Sequence, residues 1–335
     1  MIYINTFDII KYFNKKLLYK FFLLALNLYL INNNNKIELL KYILKHNLKV
    51  CICTLGKDEN RYIREFVEHY KNYGVDKIYL YDNNDIDGEK FDDVIGDYIK
   101  DEYVKIINWR GVKGKSTYFG IMDSCYQTYH NQYDWLIFYE LDEFLYLKNY
   151  QNIKSYLTRN IFNRCESIQL NWVHMSDNNY IFYENKSLNE RFPTKGKNVK
   201  KHQYNKICFV KTMIRGHLKN INITHNHLLS TKVKACNGFG KKSKLKKILS
   251  ANPDYEFYYI KHYYSKTVQE FIDKIHRGDL MRGNGKKVID WAIEKFFLIN
   301  EITSTKIDYI RKKLGSGYNL SIYIEKLNRS NSHKY

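Results

Sequence analysis

The usual phosphate-binding signatures are missing from this 335-residue sequence. No Gly-x-Gly-x-x-Gly follows the first strand-like run, and no complete Gly-x-x-x-x-Gly-Lys-Ser/Thr loop occurs, which disfavours a dinucleotide dehydrogenase and an ordinary ATPase. There is no Gly-x-Ser-x-Gly elbow, so a serine hydrolase has no support. The six cysteines (Cys51, Cys53, Cys125, Cys165, Cys208, Cys236) include no Cys-x-x-Cys pair. Cys51 and Cys53 lie two apart in an apolar run, where a strand points both the same way. A zinc cluster is therefore disfavoured and a disulfide framework is not implied. Prolines number two, while 44% of residues are hydrophobic and 16% aromatic. That content is too apolar for a disordered chain and large enough for a sizeable core.

Acidic residues are also scarce where basic ones gather. The chain carries 55 Lys and Arg against 35 Asp and Glu, a net charge of +20. Between Lys186 and Ser250 the only acid is Glu190, against 17 Lys and Arg. A solvated basic face, an anionic membrane surface, a diphosphate-bearing ligand and nucleic acid all fit such a segment. Near the N-terminus Leu17 to Ile31 is apolar except at Lys20 and Asn27, behind Lys11, Lys15 and Lys16. As a helix it reaches about 22 Å, short of the roughly 30 Å of a hydrocarbon core. It reads either as a short membrane-associated anchor or as an amphipathic helix packed on the domain, and no secretory cleavage site follows it. Asn32–Asn35 reads as a linker, followed by a helical stem.

From Lys49 the pattern becomes α/β. Val50–Cys53, Ile78–Tyr81, Val104–Asn108 and Trp135–Tyr139 are strand-like, with a helix starting near Asp58 and another over Ser116–His130. Ile63, Phe66, Val67 and Tyr70 share one helical face, and Gly74 supplies the stop. This alternation predicts a mostly parallel sheet with crossover helices, whose ligand lies beyond the carboxyl ends of the strands. Three polar places stand there: Thr54–Asn60, Asp82–Asp87 and Glu140–Glu143. With a period of two, Glu140 and Asp142 share one side, where two carboxylates suit a hard divalent cation such as Mg²⁺ or Mn²⁺. Asp82 reads either as an acceptor for a ribose or base or as a plain Asx turn.

Four blocks in order resemble glycosyltransferase family 92 and its family-2-like relatives. Leu55 to Tyr70 with Gly74-Val75 is similar to the family's opening motif, including a histidine near the helix end (His69). Tyr79-Leu80-Tyr81-Asp82-Asn83 is similar to its next strand, and Trp135 to Leu145 to its Asp-x-Asp-Glu-Phe metal strand. His262 to Thr267, with Glu270-Phe271, Lys274 and Arg277-Gly278, is similar to its C-terminal signature. Glu140 stands where the first Asp is usual, Asp58 where Asn is usual, and Phe66 where Trp is usual.

The resemblance implies a GT-A fold over residues 49–284, after an N-terminal segment 1–48 and before a helical extension 285–335. It also implies a metal-dependent enzyme moving a hexose, possibly galactose, from a UDP-sugar to a glycan or glycoconjugate hydroxyl with inversion. On that reading Asp142, aided by Glu140, holds Mn²⁺ or Mg²⁺, with His262 first and His225 second as the completing histidine. Thr54, Glu59, Asp82, Asn83, Lys266 and Lys274 meet the nucleotide or its diphosphate, with Lys206 or Lys211 as further candidates. The general base is Glu190 or Asp177. Trp172, Tyr180, Phe182, Tyr183 and Phe192 are either an acceptor platform or core. The competing readings are a nucleic-acid-directed nucleotidyltransferase on the basic segment, though no recognised nucleic-acid module is present, and a non-catalytic glycan or membrane binder. Free cysteines with the lysine-flanked apolar helix suit a cytoplasmic, membrane-attached enzyme. A spanning helix would instead place the domain on the far side and let cysteines pair.

Overall fold

The computed structural model describes residues 48–197, 209–223, 233–243, 253–278, 285–318 and 320–332. The apolar segment 17–31, His225 and Lys206 lie outside the described residues. Among those described, no helix is long and apolar enough to cross a membrane.

The first half alternates strand and helix: β1 (Val50–Gly56), α1 (Asn60–Asn72), β2 (Lys77–Asp82), α2 (Asp92–Lys100), β3 (Val104–Asn108), α3 (Lys115–Tyr129) and β4 (Trp135–Phe138). The second half adds β5 (Glu143–Leu147), α4 (Ile153–Leu157), β6 (Ser167–His174), α5 (Leu188–Arg191), β7 (Val210–Arg215), β8 (Ala235–Asn237) and β9 (Tyr258–His262). Four helices close the chain: α6 (Val268–Arg277), α7 (Lys286–Ile299), α8 (Ser304–Leu314) and α9 (Ser321–Ser332).

The nine strands form one curled sheet in the order β3-β2-β1-β4-β7-β6-β9-β5, with β8 beside β6. The half built from β1 to β4 is parallel, as the α/β pattern predicts. The other half is mixed, because β7 runs antiparallel to β4 and β6, and β5 antiparallel to β9. From β1 the chain passes to β2 and β3 on one side and returns to β4 on the other. The crevice beyond the carboxyl ends of β1 and β4 is thus a topological switch point, where open α/β sheets bind ligands.

The face of α1 read from the sequence is the buried one. Ile63, Phe66, Val67 and Tyr70 are wholly buried against the sheet, each contributing about 1.5–3 kcal/mol relative to an exposed side chain. Gly74 ends the helix at φ +80°, a conformation glycine adopts without Cβ strain. The end of α1 also fixes β5. The Tyr70 hydroxyl donates to Glu143 O at 2.8 Å and accepts from Leu145 N at 3.0 Å, and His69 Nε2 lies 3.1 Å from Leu145 O. The signature histidine therefore holds the strand that begins at Glu143.

Burial pushes the His69 imidazole down to about 4, against which the bond to Leu145 O is the smaller effect. The unfolded chain takes up a proton near pH 6.5 while the native state resists it, so stability is complete above pH 6.5 and falls as pH drops towards 4. The ring retains some solvent contact, which limits the loss to about 2–3 kcal/mol. Urea unfolding at pH 7 and pH 4.5 should show that slope, and His69→Gln, which keeps a donor but does not titrate, should flatten it.

Two disulfides correct the expectation from cysteine spacing. Cys53 of β1 is bonded to Cys125 of α3, and Cys165, just before β6, to Cys236 of β8; Cys51 is free and buried. The argument from free thiols to a cytoplasmic setting loses its premise at these four residues. The bonded pairs are 72 and 71 residues apart, a spacing at which loop-closure entropy gives about 4 kcal/mol per bridge. Reduction should lower the melting midpoint by on the order of 10 °C, and peptide mapping without reduction should find Cys51 alkylated and these four unlabelled.

The closing helices α6, α7 and α8 share a core cluster of their own, in which the Phe271 and Phe296 rings lie 4.4 Å apart. Trp172 and Phe192 are likewise core, whereas Phe182 is 61% exposed.

Candidate active site

The acidic triplet does not continue β4. The strand ends at Phe138, and a turn closed by Glu143 N donating to Glu140 O at 3.0 Å reverses the chain into β5. The period-two reading therefore fails at the residues where it matters. Glu140 turns aside to Lys211 Nζ at 2.7 Å and stays a third exposed. Glu143 takes the inward place beside Asp142. Lys211, a sequence candidate for the diphosphate, is wholly buried and braces both glutamates, at 3.2 Å from Glu143 Oε1. Gly56 lets this turn approach the end of β1, since a Cβ there would sit 2.6 Å from Leu141 Cδ1.

Asp142, Glu143 and His262 are buried, and each offers one donor atom, all within 4.8 Å of one another. The pairing of β5 with β9 produces this meeting, because Glu143 is in register with His262. Asp142 Oδ1 stands 3.5 Å from His262 Nε2, and His262 Nδ1 has no hydrogen-bond partner. Burial opposes the charge of Asp142, but Lys274, 2.8 Å away, and His262 outweigh it and hold the carboxyl well below the usual range. Burial pushes Glu143 up to about 8, with Lys211 opposing and Glu140 and Asp142 adding. Burial lowers His262 to about 4, with Asp142 opposing, so the imidazole is neutral and able to ligate. Two carboxyl groups and a neutral imidazole gathered this closely fit a divalent ion such as Mn²⁺ or Mg²⁺.

A cleft of about 310 Å³ lies beside this cluster, lined by Glu59 and Tyr62 of the β1–α1 corner and by Lys266, Glu270, Lys274 and Arg277 among others. Glu59 Oε1 accepts from Arg277 Nη1 at 2.6 Å, and its Oε2 is 3.7 Å from Lys266 Nζ. Lys266 is buried, at φ +51°, with its ammonium 3.9 Å from the Tyr62 ring centroid. Burial lowers its pKa, with Glu59 opposing. Asp58, also at left-handed φ (+51°), makes the corner, a place that Asp and Asn tolerate best.

Of the sequence candidates, Glu59, Asp142, His262, Lys266 and Lys274 come together in this region. Thr54 is buried in β1 with its hydroxyl unpartnered. Asp82 ends β2 in register with Gly56 and is bound by Arg110 at 2.6 Å, while Asn83 donates to Trp109 O and Val112 O. These two form the neighbouring rim beyond β2. Arg110, which also donates to the carbonyls of Asp85, Gly88 and Glu89, organises that rim and carries no sequence signal of a functional role.

Neither base candidate lines the cleft. Glu190 is exposed and closes a capping box on Ser187, whose bonds pull its pKa down. Asp177 is buried with Lys306 Nζ at 2.7 Å, so its carboxylate is committed to an ion pair. Both side chains have structural partners in place of an open path to a substrate hydroxyl. Glu143 and Arg277 join the site without having been singled out by sequence, although the family motifs contain both.

The α/β sheet thus carries a buried acidic, histidine-containing cluster at its switch point, with Lys266, Lys274 and Arg277 lining the cleft beside it, an arrangement of the sugar-transferring α/β enzymes. The chain belongs to glycosyltransferase family 92, whose profile matches residues 46–295. It is 27% identical over 109 residues to a glycosyltransferase family 92 protein of Oryza sativa subsp. japonica and 28% identical over 107 residues to one of Ricinus communis. Each alignment covers 32% of this chain and 18% of the relative, so the chain matches under a fifth of their length. Among solved structures it is similar to S. aureus TarS 1-349 in complex with UDP, with TM-score 0.34, 10% identity, 75% of this chain and 71% of that chain covered. The same protein with UDP-GlcNAc aligns at TM-score 0.30 and 11% identity, over 41% of this chain and 37% of that chain.

Proposed function

We propose that the protein transfers a hexose from a UDP-sugar to a hydroxyl of a glycan or glycoconjugate, with Mn²⁺ or Mg²⁺ held by Asp142, Glu143 and His262. The observation that carries this reading is the meeting of one donor atom from each of these three buried residues, within 4.8 Å of one another, beside a cleft whose lining includes Lys266, Lys274 and Arg277. A divalent ion there supplies charge for the leaving diphosphate. Lys274 and Arg277, on one face of α6, and Lys266, just before it, are placed to bind the same diphosphate oxygens. As negative charge grows on the leaving group, these fixed cations stabilise it more than the ground state. Lys211 keeps Glu140 and Glu143 in place without reaching the cleft. Inversion is the family expectation, and the anomeric configuration of the product tests it.

The deciding experiment is thermal stability against a panel of nucleotide sugars, with and without Mn²⁺. Ligand at a hundred times its dissociation constant should stabilise by about 2.7 kcal/mol, for a UDP-sugar only and with Mn²⁺ present. A cooperative melt that no nucleotide shifts would overturn the transferase reading in favour of glycan or nucleic-acid binding.

A further inference from the structure

Two loops that leave neighbouring strands are tied to one side chain. β6 and β9 run parallel, with His174 in register with His262, and continue into residues 175–180 and 263–267. Asn300, which closes α7, is wholly buried between these loops. Its Oδ1 accepts from Asp177 N at 2.7 Å, and its Nδ2 donates to Ser265 Oγ at 2.8 Å and Phe296 O at 3.0 Å. These bonds fix the orientation of the amide. Behind it Lys306 Nζ forms an ion pair with Asp177 Oδ2 at 2.7 Å and donates to Asn179 Oδ1 at 2.8 Å, with Lys306 and Asp177 wholly buried.

The second loop carries Lys266, whose left-handed backbone persists only where its surroundings hold it. Three holds are present. Tyr263 N donates to Asp142 O at 2.9 Å, Ser265 takes the Asn300 amide, and Thr267 caps α6 through a reciprocal bond with Glu270. Asn300 and Lys306 lie beyond residue 295, where the family match ends.

We propose that Asn300, braced by the Asp177–Lys306 pair, is a positioning residue that locks residues 263–267 and so sets Lys266 against the diphosphate subsite. Its effect on ligand binding rests on the nucleotide-sugar reading; the lock itself does not. The test uses the full chain, Ser265→Ala, Asn300→Ala and the double variant, with circular-dichroism melts confirming that each folds. Without ligand, hydrogen exchange in peptides spanning 260–267 should rise about tenfold in each single variant and no further in the double, while β1 and β2 stay unchanged. UDP affinity in the presence of Mn²⁺ should weaken about five- to tenfold in the same non-additive way. A merely structural role would lower the melting point and leave the affinity of the folded protein intact. Unchanged exchange at 260–267 in folded variants overturns the proposal, as does raised exchange with unaltered UDP affinity. If the parent protein binds no UDP, the nucleotide-sugar reading falls and the exchange result alone decides the lock.

Discussion

Asp142→Asn is expected to abolish the Mn²⁺-dependent stabilisation by a UDP-sugar and to lower turnover by about 10²–10³-fold or more. The change keeps the volume of a buried side chain while removing one charge. That charge is the one held most firmly ionised in the cluster, with Lys274 at 2.8 Å and His262 at 3.5 Å. Without it, a divalent ion keeps only Glu143, which burial drives towards its neutral form, and the imidazole of His262. Lys274 loses its partner but is 28% exposed and can turn to water, so the fold should survive with a modest drop in melting temperature. Isothermal titration with Mn²⁺ and UDP, beside chromatographic detection of the product, checks both halves. Parental turnover in Asp142→Asn would remove the metal from the proposed mechanism. Glu140→Gln should be milder, since its carboxylate meets Lys211 outside the donor cluster.

That contrast between neighbours marks the limit of what the sequence makes legible. The parallel strands, the face of α1, the glycine stop and the polar segment 140–143 beyond β4 follow from local periodicity and turn chemistry, which are encoded within a few residues. The exchange of Glu140 for Glu143 does not, because one turn at Glu140–Glu143 changes which side chains point inward. The capping boxes Ser187-x-x-Glu190 and Thr267-x-x-Glu270 are readable from spacing alone. The first commits the Glu190 carboxylate to the start of a helix, and that spacing by itself argues against Glu190 as a base. The antiparallel strands, the disulfides across 72 and 71 residues and the Asp177–Lys306 pair depend on partners far along the chain, which a single sequence does not identify. His262 is found from sequence only by resemblance, and its place in the site is set by the register of β5 on β9.

Arg191→Met should be among the most destabilising single substitutions in the described chain, by about 3–5 kcal/mol. Arg191 and Glu270 are each 1% exposed and lie 2.7 Å apart. Glu270 also accepts from Tyr62 Oη at 2.5 Å and Thr267 N at 3.0 Å. Burial works against its charge, yet the bonds from Arg191 and Tyr62 keep its pKa below the ordinary 4.5. In the parent protein this carboxylate therefore adds stability above pH 4.5, and that contribution fades as pH falls through the native pKa. Removing the guanidinium reverses the sign. Burial then dominates, the native pKa rises above 4.5, and stability is lost as pH increases from 4.5 through the new value. Urea unfolding should accordingly show a larger deficit for Arg191→Met at pH 8 than at pH 5. Adding Glu270→Gln removes the stranded charge and should recover part of the loss at pH 8, short of the parent because the amide cannot reproduce the full cap on Thr267 and the bond from Tyr62. A deficit independent of pH would mean that the lost packing of Arg191 against Phe192 and Tyr183, with ring centroids 4.7 and 4.9 Å from its guanidinium carbon, outweighs the ion pair.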